Sequence, residues 1–227
     1  MKIAAIQTVS GTSVEANLQD AAALLAQARA LGLWIVGGTL PLVADSEEHV
    51  RNASLAYSPQ GECVARYDKI HLFRYDNGRE QYDESRVIEP GGLPQAFTLG
   101  SRDGHGWRVG LSVCYDLRFP ELYRDLGADL LLVPSAFTHP TGQAHWELLL
   151  RARAVENLAY VVAPAQSGQH NPRRASHGDA MIVDPWGTVL ARRAEGEGVV
   201  TAEIDFEKQE RVRRELPALT HVRLGPS

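Results

Sequence analysis

One cysteine lies among ionisable side chains in the stretch GLSVCYDLRFPELYR, residues 110–124. Cys114 follows an apolar run and precedes Asp116, Arg118 and Glu121. A thiolate is a strong nucleophile, but a free cysteine also behaves as a small buried hydrophobe. Charged side chains beside a buried strand are costly unless they pair or contact a polar ligand. The stretch therefore predicts either a nucleophile with its supporting groups or a structural thiol beside an Arg118–carboxylate pair that only fixes the turn.

The histidines offer competing chemistries. His71, His139, His145, His170 and His177 could suggest a metal site, but none forms an i, i+4 pair with another ligand as in a metal-binding helix. We therefore expect no metal and no cofactor. A cysteine–histidine hydrolase that uses His71 or His139 is compatible with the composition, although the spacing of these residues singles out neither.

The elements around Cys114 place it where α/β proteins bind ligands. WRVGLSVC (107–114) has the apolar character of a strand, and FPELYRDLG (119–127) is predicted to be a helix that ends at Gly127. Cys114 would lie at the carboxyl end of the strand and near a helix N-terminus, which favours a thiolate. We expect Cys114 to be an accessible thiol with a lowered pKa, and Cys63, beside a turn, to be an ordinary thiol.

The remaining elements mix helices and strands. Strands are predicted at 2–9, 33–42, on both sides of the turn at 58–61, and at 128–137, 159–166, 179–193 and 198–206, and helices at 17–31, 144–158 and 207–216. This order is typical of a layered α/β fold. No repeat or linker divides the chain, so we expect residues 1–227 to form a single domain.

Charge and composition argue against several classes of protein. With 23 Lys and Arg against 28 Asp and Glu, the formal charge is -5, and nucleic acid is not expected as a partner. No apolar run approaches the roughly 20 residues that cross a bilayer, and the N-terminus becomes polar too soon for a signal peptide. The two cysteines are too few for a disulfide framework or a cysteine-rich zinc site. We expect a cytoplasmic protein without a membrane partner.

Several stretches, in order along the chain, resemble motifs of the nitrilase superfamily, the carbon-nitrogen hydrolases. VCYDLRFPE (113–121) is similar to the nucleophile motif, YDKIHLF (67–73) to the lysine motif, and QYDESRVIEPG (81–91) to the segment that carries a second glutamate. Three further stretches agree: AHWELLLRARAVEN (144–157), RRASHGDAMIVDPWGTV (173–189) and LPALTH (216–221). The resemblance covers nearly the whole chain and is closest to the Nit branch, whose members act as deaminated glutathione amidases or ω-amidases.

The resemblance implies both a fold and a reaction. The fold would be a nitrilase-like α-β-β-α sandwich, with two mixed sheets between helical layers, which commonly forms a homodimer through its helical face. In the reaction, Cys114 would attack the carboxamide carbon of a small-molecule amide, expel ammonia and form a thioester that water then hydrolyses. Asp116 and Glu121 would serve as structural partners near the nucleophile.

The resemblance also assigns roles to other residues, both within the stretch 110–124 and outside it. Taken alone, Lys69 is a strand-end lysine of a type that is mostly exposed. By resemblance, Lys69 and the backbone N–H of Tyr115 would stabilise the oxyanion, and Glu84 would orient Lys69 or the leaving group. Arg118 would bind a substrate carboxylate through its planar guanidinium, and Thr141 would be a hydrogen-bonding neighbour.

The sequence departs from the family pattern at one place. Family members carry a catalytic glutamate on an early strand, in a segment that reads like L-P-E, where it acts as the general base. Here the chain runs from ALG (30–32) directly into LWIVGGTLPL (33–42), so that a βα unit, on the order of 30 residues or more, is missing. Either this is a true internal deletion, or the sequence closes over an omitted segment. Glu47 and Glu48 lie in a polar loop without the motif. Glu84 could replace the base only if the site rearranged.

Two functions of different classes are compatible with these observations. The first is a cysteine-dependent amidase that acts on deaminated glutathione or an ω-amide. The second is a catalytically impaired protein of the same fold, retained as a binding or interaction module because it lacks its general base. The missing glutamate is the feature that distinguishes the two.

Overall fold

The computed structural model describes residues 1–8, 15, 19, 22, 23, 26, 29–78, 81–172 and 174–224. Its strands are β1 Lys2–Gln7, β2 Ile35–Val43, β3 Val50–Tyr57, β4 Cys63–Asp68, β5 Arg74–Asp76, β6 Gln81–Asp83, β7 Gln95–Gly100, β8 Gly106–Leu111, β9 Leu130–Leu132, β10 Tyr160–Ala163, β11 Ser167–Asn171, β12 Arg174–His177, β13 Ala180–Val183, β14 Val189–Arg193 and β15 Gly198–Glu203. The helices with described bounds are α1 Pro120–Leu126, α2 His139–Asn157 and α3 Phe206–Glu215. The helix predicted at 17–31 lies mostly outside the described residues.

A six-stranded sheet forms the centre of the molecule, in the order β14-β13-β10-β9-β8-β7. Strands β8, β9 and β10 run parallel, and the other neighbouring pairs in this sheet are antiparallel. Because side chains alternate along a strand, Leu131 and Val161 face one core, whereas Leu130 and Val162 face another. The apolar runs of these strands are thus buried on both faces.

The helices α1 and α2 cover one face of this sheet. Tyr123 and Leu126 of α1 pack there with Trp146 and Leu150 of α2. The indole of Trp146 also donates a hydrogen bond to the carbonyl oxygen of Asp179, at 2.7 Å. These two helices hold the ends of β8 and β9 in place from one side.

A second layer of strands covers the other face. It consists of the pair β1-β15 and the three-stranded sheet β2-β3-β4. Ala5 of β1 packs in the core of Trp107 and Tyr160, while Tyr67 of β4 packs against Leu111 of β8. The predicted fold class, an α/β sandwich with mixed sheets and helices, is confirmed.

The second layer is divided into two parts. Among the described strands, β1 pairs only with β15 and β2 pairs only with β3, so each has an edge without a strand partner. The βα unit that is predicted to be missing would fall between β1 and β2 in the chain. Its absence stays a prediction, because most of the residues between these two strands are outside the described part.

Several boundaries differ from the sequence-based expectations. The long helix α2 begins at His139, before the predicted residue 144, because Thr138 has the extended conformation of a helix cap and Pro140 occupies the first turn. The predicted strand 179–193 is a hairpin of β13 and β14. In the described part of the chain, no helix is long and apolar enough to cross a membrane.

Candidate active site

Cys114 lies just beyond β8, in the 3-10 turn Cys114–Arg118 that leads into α1. Its backbone N–H donates to the carbonyl oxygen of Pro134 at 3.0 Å, which continues the parallel pairing of β8 with β9. Its φ is +53°, in the left-handed region that residues with a Cβ rarely adopt. Such a conformation costs about 1–3 kcal/mol and persists only where the surroundings impose it, often at functional sites.

The thiol of Cys114 is half-buried, and its protonation reflects this environment. Burial raises the pKa of Cys114, whereas the ammonium of Lys69 and a hydrogen bond from the backbone N–H of Ala136 act to lower it. The carboxylates of Glu84 and Asp116 raise the pKa further. The expectation of a lowered pKa for this thiol is therefore wrong, because desolvation outweighs the nearby positive charge.

Lys69 follows β4 and is buried, with 1% of its surface exposed. Its ammonium donates to Oε2 of Glu84 at 2.5 Å. The same oxygen accepts from the backbone N–H of Phe73 at 2.7 Å, so a backbone contact fixes the carboxylate. The structure thus brings together the predicted Lys69 and Glu84 and places the charges of both close enough to Cys114 to affect its pKa.

A close backbone contact fixes the segment that carries Lys69. The N–H of Gly91 donates to the carbonyl oxygen of Lys69 at 2.8 Å. A Cβ at Gly91 would lie 2.1 Å from the carbonyl oxygen of Asp68, a distance that no side chain could accommodate. Glycine is therefore required at this position for steric reasons, and the requirement links the Lys69 segment to the loop after Glu84.

A pocket opens beside Cys114, at the carboxyl ends of β8 and β9. Its lining includes Cys114, Tyr115, Arg118 and Thr141, together with the aromatic ring of Phe73 and further residues after β9. The three predicted substrate-binding residues thus lie around one cavity. Thr141, in the first turn of α2, has its hydroxyl 2.7 Å from that of Thr138.

Arg118 is a cation in this pocket without an acidic partner. Among the described residues, no carboxylate lies within 4.0 Å of its guanidinium; its polar neighbour is Nδ1 of His145, 3.3 Å away. The guanidinium carbon also lies 5.6 Å from the centre of the Phe137 ring. The alternative that Arg118 pairs with a neighbouring carboxylate to fix the turn therefore does not hold, and the guanidinium is free to bind an anion.

Asp116 is instead the centre of a buried network. Its Oδ2 accepts from the backbone N–H of Val113 and from the hydroxyl of Tyr67, each at 2.8 Å. Its Oδ1 accepts from the backbone N–H of His71 at 3.1 Å and lies 2.7 Å from Nδ1 of His71. Asp116 is thus a structural partner, as predicted, whereas Glu121 is exposed and takes no part in the network.

Neither histidine proposed for a cysteine–histidine hydrolase is placed to act as one. His71 is held by Asp116 and stacks on the ring of Phe119 with 3.7 Å between centres. His139 is exposed at the start of α2. In the described residues, no three His, Cys, Asp or Glu side chains form a group that could hold a metal ion.

Sequence reasoning missed the contacts that Tyr67, His71 and Ala136 make around the nucleophile. Tyr67 and His71 flank Lys69 by two residues on each side, so the motif YDKIHLF itself contained the signal. Both bond to a residue 45 or more positions away, which local spacing does not reveal. No sequence signal pointed to the backbone N–H of Ala136.

Comparison with known proteins gives consistent matches over most of the chain. The sequence model of the carbon-nitrogen hydrolase family matches residues 4–214. A deaminated glutathione amidase from Synechocystis is 41% identical over 220 residues, which are 94% of this chain and 77% of that protein.

Two solved structures are also similar. The NitFhit protein of Caenorhabditis elegans has a TM-score of 0.86 at 35% identity, over 98% of this chain and 65% of that one. Nit3 of Saccharomyces cerevisiae, a member of branch 10 of the nitrilase superfamily, has a TM-score of 0.77 at 28% identity, over 96% of this chain and 94% of that one.

Proposed function

The chain belongs to the carbon-nitrogen hydrolase family, within the nitrilase superfamily, and we propose that it is a cysteine-dependent amidase for a small substrate that bears a carboxylate. One observation carries the proposal: Cys114 opens into a pocket that also contains an arginine with no acidic partner among the described residues, next to a buried lysine whose charge reaches the thiol. A nucleophile, a stabilising cation and an anion-binding group are thus close together.

The first half of the reaction would form an acyl-enzyme. Cys114 attacks the carboxamide carbon, and the negative charge that develops on the carbonyl oxygen is stabilised by Lys69 and the backbone N–H of Tyr115. Because burial raises the pKa of Cys114, the thiol holds its proton at neutral pH and needs a base to accept it. Glu84 can serve, since its two hydrogen bonds both involve Oε2 and it is 27% exposed.

The acyl-enzyme is complete when ammonia leaves, and the second half of the reaction then releases the acid. The tetrahedral intermediate breaks its C–N bond only when a proton reaches the nitrogen, because an amide anion is not a viable leaving group. The proton that Glu84 took from Cys114 supplies this step, and ammonia leaves. Glu84 then removes a proton from water, which attacks the thioester; the C–S bond breaks, the carboxylic acid leaves, and Glu84 returns the proton to the sulfur of Cys114.

The substrate would be recognised through its carboxylate. The planar guanidinium of Arg118 matches a carboxylate in two parallel hydrogen bonds, and Thr141 can add a further one. The name of the similar Synechocystis protein, deaminated glutathione amidase, agrees with an acidic amide of this kind. We therefore propose deaminated glutathione or a related ω-amide as the substrate. By family resemblance, we also propose that the protein is cytoplasmic and forms a homodimer. Light scattering of the purified protein would test the homodimer.

A specific observation favours a second candidate, a catalytically impaired binding protein. Among the described strands, β1 and β2 each have an unpaired edge, which agrees with a missing βα unit. Without the glutamate that the family carries on that unit, the site would bind a carboxylate-bearing amide and react with it extremely slowly.

The two candidates differ in their response to two kinds of substrate. We would incubate the purified 227-residue chain with deaminated glutathione, a panel of ω-amides and a p-nitrophenyl ester, and measure ammonia, p-nitrophenolate and the mass of the protein. Cys114→Ser, with Cys63→Ser as the matched control, would identify the acylated thiol. Amide turnover that only Cys114→Ser abolishes supports the amidase. An ester-derived adduct on Cys114 without amide turnover supports the impaired protein. If neither Cys114→Ser nor Cys63→Ser loses activity, both candidates are excluded.

A further inference from the structure

Asp116 connects the two segments that carry Cys114 and Lys69. Through Oδ2 it holds the backbone N–H of Val113, the residue before Cys114. Through Oδ1 it holds the backbone and the ring of His71, two residues after Lys69, and Oδ2 also accepts from the hydroxyl of Tyr67. One fully buried carboxylate therefore accepts four hydrogen bonds from two separate parts of the chain.

We propose that Asp116, with Tyr67 and His71, is a positioning group that sets the distance between the sulfur of Cys114 and the ammonium of Lys69. The inference rests on the proposed amidase chemistry, in which these two groups act on the same carbonyl. None of the three residues needs to touch the substrate. Their role is to hold a left-handed residue and a buried lysine in one geometry, since a misplacement of about 1 Å can cost about 10²-fold in rate.

The network satisfies the conditions for a rigid connection. Tyr67 has no exposed surface, and its hydroxyl also accepts a hydrogen bond from the backbone N–H of Ile70 at 3.2 Å. The ring of His71 is fixed on one side by Asp116 and on its face by Phe119. Each member thus has more than one contact, so that removing a single hydroxyl should shift the Lys69 segment without unfolding the protein.

The best test is Tyr67→Phe, which removes the hydrogen bonds of the hydroxyl with Asp116 and with the backbone N–H of Ile70 and leaves the charge of Asp116 in place. That charge must stay, because Asp116 itself raises the pKa of Cys114, as does Glu84, while Lys69 lowers it. Asp116→Asn would change this balance directly and would not isolate positioning. Tyr123→Phe is the matched control: Tyr123 is equally buried, and its hydroxyl bonds to Ser112, two residues before Cys114.

The readout should include one that does not depend on turnover. We would measure the rate at which iodoacetamide alkylates Cys114 as a function of pH, with kcat and KM for the amide substrate. If Lys69 moves away from the thiol, the pKa of Cys114 rises; a rise of about half a unit slows alkylation about threefold at lower pH. We expect this shift, and a fall of about tenfold in kcat with KM within twofold, for Tyr67→Phe but not for Tyr123→Phe.

A second pair of variants separates the hydrogen bond of His71 from its bulk. In His71→Asn, the amide nitrogen can take the place of Nδ1 and donate to Asp116, so we expect alkylation close to that of the wild type. His71→Leu keeps the bulk, loses this donor and should behave like Tyr67→Phe. Equal alkylation profiles for Tyr67→Phe, Tyr123→Phe and the wild type would overturn the positioning role, even if the amidase is active. Shifted profiles in a protein without amide turnover would retain the positioning and reject the proposed reaction.

Discussion

Substitution of Lys69 and of Glu84 should affect amides and activated esters differently. Lys69→Met removes the ammonium but keeps a long side chain that suits a site with 1% exposure. Glu84 accepts a hydrogen bond of 2.7 Å from the backbone N–H of Phe73. Glu84→Gln keeps an oxygen that can accept this bond, but the amide cannot accept and return a proton. The two variants thus separate stabilisation of charge from transfer of protons.

The magnitudes follow from the steps that each substrate needs. An oxyanion forms on attack of either substrate, so Lys69→Met should lower acylation by amide and ester alike, by about 10²- to 10³-fold. Glu84→Gln removes general acid-base catalysis, which contributes about 10²- to 10⁴-fold to a step that needs it. An ester with a p-nitrophenolate leaving group needs no proton when that group departs. We therefore expect Glu84→Gln to lower the rate with the amide at least about tenfold more than the rate with the ester.

The pH dependence gives a further signature of Glu84. Since burial keeps the thiol of Cys114 protonated at neutral pH, the ester still needs a base for attack. As the pH rises toward and above the raised pKa, the thiol ionises without help. The defect of Glu84→Gln with the ester should therefore shrink at high pH, whereas the defect of Lys69→Met should remain.

Stopped-flow measurement of the p-nitrophenolate burst reports acylation, and release of ammonia reports the amide reaction. Lys208→Met is the matched control, because Lys208 forms an ion pair of 2.7 Å with Asp184 at the opposite end of β13, away from the pocket. Its kinetics should stay within about twofold of the wild type. Equal losses for amide and ester in Glu84→Gln would refute the proton-transfer role, and an unchanged ester burst in Lys69→Met would refute the oxyanion role.

Three further predictions concern the pocket and its support. Arg118→Lys should raise KM about tenfold for an acidic amide and less than twofold for a neutral one, since lysine lacks the planar fork; uniform loss would assign Arg118 to the fold. At pH 7, iodoacetamide should label exposed Cys63 faster than half-buried Cys114, measured by peptide mass spectrometry. Gly91→Ala, against a backbone carbonyl, should lower the free energy of unfolding by about 1–3 kcal/mol in urea, while Gly92→Ala, with open space around it, should change it little.

The sequence predicted the central elements well because their signals are local. Buried strands such as β8 and β10 are short apolar runs, and Gly127, at a φ of +52°, ends α1 as expected of a glycine after a helix. The position of Cys114 at the end of β8 followed from the same local pattern. The burial of Lys69 did not, since a lysine at a strand end is mostly exposed and only its distant partner Glu84 makes burial tolerable.

The protonation of Cys114 was predicted with the wrong sign for a geometric reason. The expectation relied on the end of the strand and on the N-terminus of the following helix. That helix begins at Pro120, as predicted, but a 3-10 turn separates Cys114 from it, and the backbone N–H of Cys114 itself is bonded to Pro134. The dipole effect falls off within one turn, whereas desolvation acts on the sulfur directly. Burial by residues far apart in sequence therefore decided the pKa.

That raised pKa also determines what the predicted loss of the early-strand glutamate would mean for the chemistry. A cysteine held as a thiolate needs no base for attack, and the loss of a base would then affect mainly the departure of ammonia and the hydrolysis of the thioester. If the cysteine is held as a thiol, a base must first take the proton from sulfur. The same carboxylate must then give a proton to the leaving nitrogen and later take one from water, so it acts three times. Glu84 can do this only if it exchanges protons while its Oε2 stays bound to the ammonium of Lys69 and the backbone N–H of Phe73. If the 227-residue chain hydrolyses amides, the donation of the proton to nitrogen should therefore limit kcat, and substrates with better leaving groups should react faster in proportion.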